Sequence, residues 1–179
     1  FIMGIVVSVI MGMVLTLPIS SAAIGVILGL NGIAAGAASV GCTAQMVGFA
    51  VMSFRENRWG GLVSQGVGTS MLQMSNILRN PKVWIPPILT SAITGPLATC
   101  VFGLEMNGPA VSSGMGTCGF VGPIGVYTGW VESGARIVAA DWIGLFMICI
   151  ILPAVICSVL GLFFRRINWI KEGDLSLNR

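Results

Sequence analysis

Histidine is absent from this 179-residue chain, and only 8% of its residues are charged. Without an imidazole, and without two cysteines in a Cys-x-x-Cys pair, a zinc centre or a Cys/His nucleophile has little to build on. An ordinary soluble domain is about 25% charged, so this chain is not one. Hydrophobic residues supply 55% of it and the mean hydropathy is +0.95, values of an integral membrane protein. A net charge of +3, spread over separate sites, is too small for a nucleic-acid footprint. Cys42, Cys100, Cys118, Cys149 and Cys157 are odd in number and irregularly spaced. They make no disulfide framework and read as small apolar residues. No metal, no cofactor and no self-contained catalytic site are expected. The chain opens at Phe1 inside a hydrophobic run, without the charged region of a signal peptide, and reads as part of a longer polypeptide.

A helix needs about 20 mainly apolar residues to cross a bilayer, and four segments qualify. They are Phe1 to Leu17, Ala22 to Phe54, Val83 to Leu104 and Trp142 to Phe164. The second is too long for one span. Asn31-Gly32 and the Gly36 to Gln45 stretch interrupt it, which predicts a crossing with an unwound or re-entrant middle. Pro86-Pro87 and Pro96 predict kinks in the third. Basic residues flank these runs at Arg55 and Arg58, at Arg79 and Lys82, and at Arg165, Arg166 and Lys171. Placing all three groups in the cytoplasm satisfies the positive-inside rule. Gly60 to Asn80 must then return to the side it left, and its polar side chains suit a re-entrant or interfacial hairpin. Glu132, Arg136 and Asp141 fall outside. Trp59, Trp84, Trp130, Trp142 and Trp169 all sit at segment ends, where indoles favour the headgroup layer. The expected architecture is all-α and polytopic, with transmembrane helices, broken helices and re-entrant hairpins. Residues 1–167 form the transmembrane domain and 168–179 a solvated cytoplasmic tail.

Between Gly103 and Gly125 the chain becomes a tract of small residues with one carboxylate, Glu105. Broken backbone at membrane depth persists only where protein buries it or where it lines a watery cavity, and an acid there is a functional-site candidate. A weak echo links this tract to an earlier one: Asn31-Gly32-Ile33-Ala34 matches Asn107-Gly108-Pro109-Ala110 at three of four positions, with Cys42 and Cys118 in register behind. Paired interruptions of this kind point to a transporter's central site. Side chains able to donate and accept several hydrogen bonds gather in the same stretches, as a polyhydroxylated ligand requires. The binding candidates are Glu105, Asn107, Asn31, Thr43, Gln45, Gln65 and Gln73. Small and hydroxylated residues also pack transmembrane helices, which competes with a ligand role at each Ser or Thr.

The Arg-Glu-Asn-Arg loop of Arg55 to Arg58, the polar hairpin, the proline-containing span and then Phe-Gly-Leu-Glu-Met-Asn-Gly-Pro from Phe102 to Pro109 follow one another in order. That order resembles the IIC membrane subunits of bacterial phosphotransferase-system sugar transporters, in particular the stand-alone branch without fused IIA and IIB domains. The likeness runs from about Gly29 to Trp130, which would be the C-terminal half of a full-length subunit. It implies a homodimer in the bacterial plasma membrane, with re-entrant hairpins in each protomer. It also implies a sugar taken from outside and phosphorylated by a phosphocysteine on a separate IIB protein. In related branches a Gly-Ile-Thr-Glu motif gives its glutamate to sugar hydroxyls. Gly103-Leu104-Glu105 is the nearest match here, one residue shorter and lacking the threonine. Those branches also place a histidine near the sugar, and this chain has none. Two other readings stand beside this one. One is a similar scaffold moving another small solute without phosphorylation, with or without protons carried by Glu105. The other is a non-transporting membrane component that assembles with or regulates a second protein.

Overall fold

The computed structural model describes residues 1–134 and 136–177. Proline and glycine set its first boundaries. Helix α1 (Ile2–Thr16) stops ahead of Pro18, and the Ser20 hydroxyl accepts the Ala23 N–H at 3.2 Å to open the short α2 (Ser21–Ile27). Gly29 and Gly32 then take φ of +58° and +55°, a left-handed conformation that glycine adopts without steric penalty. Helix α3 (Gly32–Met52) follows as 21 unbroken residues, nearly all buried from Ala35 onward.

That continuity corrects the expectation of an unwound Gly36 to Gln45 stretch. The small residues there are a contact surface, not a break. A Cβ on Gly41 would overlap the Ser8 carbonyl of α1, and close backbone approach of this kind offsets glycine's poor helix propensity. Gly41→Val should therefore cost about 1–3 kcal/mol through overpacking. Its thermal midpoint in detergent measures this, and a midpoint equal to wild type would contradict the contact.

Contacts fix the directions of the bundle. Ser8 lies by Gly41, the Cys42 thiol reaches the Met11 carbonyl at 3.4 Å, and Thr16 meets Gln45, so α1 runs parallel to α3. Helix α6 (Ile85–Pro96) runs the other way, with Ser91 donating to the Gly41 carbonyl and Pro87 beside Gly48. Helices α8 (Ala139–Phe146) and α9 (Leu152–Arg166) join through a π turn at Met147–Ile151. In α9, Cys157 lies by Gly48 and Gly161 by Met52, parallel to α3.

Among the described residues, three stretches are long and apolar enough to cross a bilayer: Gly32–Met52, Pro81–Val101 and Ala139–Arg166. The fourth expected crossing is short. Helix α1 has 15 residues, about 22 Å of rise, and its end lies level with Gln45 inside α3. Pro86 and Pro87 do not kink the third span, because they occupy the first turn of α6, where a missing N–H is harmless. Pro96 does alter it, since a π turn at Leu97–Val101 follows directly.

Two polar hairpins enter the bundle from opposite ends. The first descends through α4 (Phe54–Val63) and a π turn at Ser64–Gly68, then returns through α5 (Met74–Arg79). Its tip residue Ser70 sits 3.0 Å from the Thr16 hydroxyl. The second is the small-residue tract, which passes Gly116 against Cys42 and Thr43 and returns through α7 (Val121–Glu132). The tips meet mid-bundle around a cavity of about 240 Å³ lined by Ala50, Gly66, Val67, Thr117, Phe120 and Ile150. Phe120 has φ of +56° there, a genuine outlier for a bulky residue and a conformation held by its surroundings.

The three basic groups come to one end of the bundle. Arg165 pairs with Glu56, Asn80 donates to the Trp169 carbonyl at 3.0 Å, and Lys82 lies 5.2 Å from the Trp169 ring centre. The tail is not simply solvated, as its mixed charge suggested. Leu175 is fully buried and Ile170 nearly so, in a cluster with Phe49, Met52, Ile77 and Val83. Asn57 clasps this segment, donating to the Leu175 carbonyl at 2.7 Å and accepting the Leu177 N–H at 2.8 Å. Asn178 and Arg179 lie outside the described residues.

Candidate functional site

The two sequence echoes touch. Gly32 and Met106 form an antiparallel bridge, with the Met106 N–H donating to the Gly32 carbonyl at 3.0 Å. Behind it, Gly36 lies so close to the Leu104 carbonyl that a Cβ would overlap it. The bridge leaves Glu105 and Asn107 on the same outward side, since alternate residues of an extended strand share a face. Asn107 Nδ2 lies 3.5 Å from Glu105 Oε2, a long and weak bond that leaves both groups able to take other partners.

Glu105 is exposed. It lies at the end of the bundle opposite the basic groups and opens onto a cavity of about 310 Å³. Phe102, Asn107, Trp130, Ser133 and Asp141 line the same cavity. Its volume is at the lower end of the range for small-molecule sites, about 300–1,000 Å³. The walls are firm. Trp142 packs edge-on to Trp130 at 6.0 Å and against Tyr127 at 5.4 Å, and Asp141 is fixed by accepting the Val138 N–H at 2.8 Å. Two carboxylates, an amide and an indole around one cleft can hydrogen-bond a polyhydroxylated guest and cover its apolar face.

The seven predicted residues do not form one site. Glu105 and Asn107 come together at this mouth, and Asn31 precedes Gly32 of the bridge without lining the cavity. Gln45 lies roughly 20 Å further along α3 at about 1.5 Å per residue, and it is spent inside the protein. Its Oε1 accepts from Trp84 Nε1 at 3.0 Å and from the Thr16 hydroxyl at 3.5 Å. Gln65 and Gln73 belong to the first hairpin. Gln65 Nε2 donates to Ser53 Oγ at 2.7 Å, and its Oε1 accepts from Gln73 Nε2 at 2.8 Å. Gln73 Nε2 also reaches the Leu175 carbonyl at 3.0 Å, and its Oε1 accepts from Asn76 at 2.7 Å. Thr43 donates to the Ser39 carbonyl at 2.8 Å within its own helix. Here the three glutamines tie helices, hairpin and tail together, and the Thr43 bond stays within α3. Ser39 Oγ, buried beside Gly122, is the one buried side-chain oxygen or nitrogen without a partner among the described residues.

Sequence reasoning missed Trp130 and Ser133 as lining residues and placed Asp141 on a solvated rim. The available signal was the pair Trp130 and Trp142 at adjoining segment ends, both suited to one interfacial layer. The chain matches the family described as Phosphotransferase system, EIIC, over residues 1–177. No curated protein and no solved structure matches it. A match spanning nearly the whole sequence, on an all-helical scaffold with apolar spans, means that the chain belongs to the phosphotransferase-system EIIC family, the membrane subunits of phosphotransferase permeases.

Proposed function

We propose that this subunit binds and translocates a sugar or similar small polar solute. Entry is at the Glu105 mouth, and the phosphoryl group comes from a separate cytoplasmic IIB protein at the basic end. The observation that carries this reading is the Gly32–Met106 bridge, which brings both broken stretches to one cleft with Glu105 and Asn107 facing outward. Glu105 accepts hydrogen bonds from sugar hydroxyls, while Asn107 donates and accepts beside it, and Trp130 covers a face of the ring. Because phosphoryl transfer depends mainly on alignment and charge stabilisation, the subunit's part is to present a hydroxyl to the IIB phosphocysteine and to keep the sugar from leaving. The membrane is the bacterial plasma membrane, with the basic end inside by the positive-inside rule. The functional unit is a homodimer.

Glu105→Gln should weaken sugar binding at least about tenfold, because a hydrogen bond to a charged group is stronger than its neutral counterpart. Ligand-dependent thermal stabilisation across a sugar panel measures the loss. Uptake into vesicles, with and without the cytoplasmic phosphoryl carriers, tests coupling: sugar phosphate should accumulate only when the carriers are present. Accumulation of free solute without them would move the protein to the uncoupled class of transporter. Full retention of binding by Glu105→Gln would remove the cleft from the pathway.

A further inference from the structure

The basic end holds a larger cavity, away from the Glu105 mouth. It measures about 800 Å³ and lies along the outer flank of α9. Arg55, Arg166 and Lys171 supply its charge, with Glu172 as the opposing carboxylate. Arg165 also borders it but is already held by Glu56 at 2.8 Å. Among the described residues, the side-chain cations of Arg55, Arg166 and Lys171 have no carboxylate within ion-pair distance, while the Lys171 backbone N–H donates to the Asp174 carboxylate at 2.9 Å. The remaining wall is apolar. Val159 is 62% exposed and Phe163 57% exposed, both on a helix long enough to cross the membrane.

An apolar groove of about 210 Å³ adjoins this cavity and runs between the end of α3 and α9. Val51, Phe54, Gly161 and Leu162 line it, and it shares Arg55, Leu162 and Arg165 with the charged cavity. Cations at one end of a continuous depression and hydrocarbon at the other select a ligand with an anionic head and an acyl tail. We propose that this depression binds an anionic phospholipid, its phosphodiester between Arg55, Arg166 and Lys171 and one acyl chain in the α3–α9 groove. Basic pockets beside transmembrane helices at the cytoplasmic level hold lipid headgroups in this way. A free phosphate would leave the groove empty, and a soluble acidic protein would not reach a slot that opens toward hydrocarbon. The lipid would bridge α3 and α9 one turn from the Glu56–Arg165 pair, so its binding should raise the stability of the bundle as any native-state ligand does.

The test uses the purified full chain in neutral detergent, with retained lipid counted by native mass spectrometry. Wild type should keep phosphatidylglycerol through dilution and lose phosphatidylcholine. Glycerol 3-phosphate should not displace the retained lipid. Each cation near an anionic headgroup is worth about fivefold in binding, so Arg55→Ala/Arg166→Ala should retain on the order of thirtyfold less. Leu162→Gln should reduce retention with every charge in place. If the double variant does not fold, the wild type still decides: raising salt well above about 0.1 M, where the screening length falls below about 10 Å, should release phosphatidylglycerol. Equal retention of the two lipids would overturn the proposal, as would displacement by glycerol 3-phosphate. So would a double variant that keeps its lipid while losing affinity for a soluble phosphoryl carrier, which would make this face a protein-docking surface.

Discussion

Arg165→Met should destabilise the protein by about 3–5 kcal/mol, the range for removing one partner of a buried ion pair. Arg165 Nη2 donates to both Glu56 oxygens, at 2.8 and 3.0 Å, and to the Met52 carbonyl at 3.1 Å. The two side chains are 12% and 10% exposed, so water replaces little of what is lost. The substitution strands the Glu56 carboxylate and also frees a carbonyl at the C-terminal end of α3. Glu56→Leu/Arg165→Met should recover most of the loss, because no unpaired charge is left behind. Chemical unfolding in detergent micelles of the single and double variants gives the comparison. A double variant as unstable as Arg165→Met would mean that the loss came from packing and not from the stranded charge.

The second large effect is expected at Gln73. Its amide is the node between the first hairpin and the tail, receiving from Asn76 and donating to Gln65 and to the Leu175 carbonyl. Gln73→Leu keeps the volume roughly constant but leaves Gln65 Oε1 without a donor and removes an acceptor from Asn76. Each orphaned buried group costs about 1–3 kcal/mol, so a loss on the order of 3 kcal/mol follows. The tail should loosen at the same time. Protease cleavage after Lys171 should quicken in Gln73→Leu relative to wild type, and identical cleavage rates would show that the tail is held by Asn57 and its own apolar residues alone.

Much of the architecture was legible because bilayers impose few solutions. Arg55, Lys82 and Arg165 could share one end only if Gly60 to Asn80 turned back, and the hairpin with Ser70 at its tip does so. The tract after Gly103 likewise had too many helix breakers to cross. Other features were hidden because one residue type serves two purposes. Glycines at 36 and 41 read as helix breakers, yet they are where the Leu104 and Ser8 carbonyls press against α3. Gln45, Gln65 and Gln73 read as ligand groups, yet burial obliges such amides to find partners, and they found Trp84, Ser53 and the Leu175 carbonyl. Nothing local distinguishes an amide facing a guest from one facing the chain. Ile170 and Leu175 were overlooked in the tail because two apolar side chains are diluted by charged neighbours, although each is enough to anchor a turn. The weak echo of the Asn-Gly pair marked the two tracts that the Gly32–Met106 bridge joins.

Loops that reach toward each other from the two ends of the bundle meet around Val67 and Phe120, a boundary between those ends. Moving one charge across the transmembrane voltage involves about 2.3 kcal/mol per 100 mV. An uncharged guest crosses it without electrical work. Under the phosphoryl transfer proposed above, the same molecule becomes an anion on the inner side, so any return across that boundary is no longer electrically neutral.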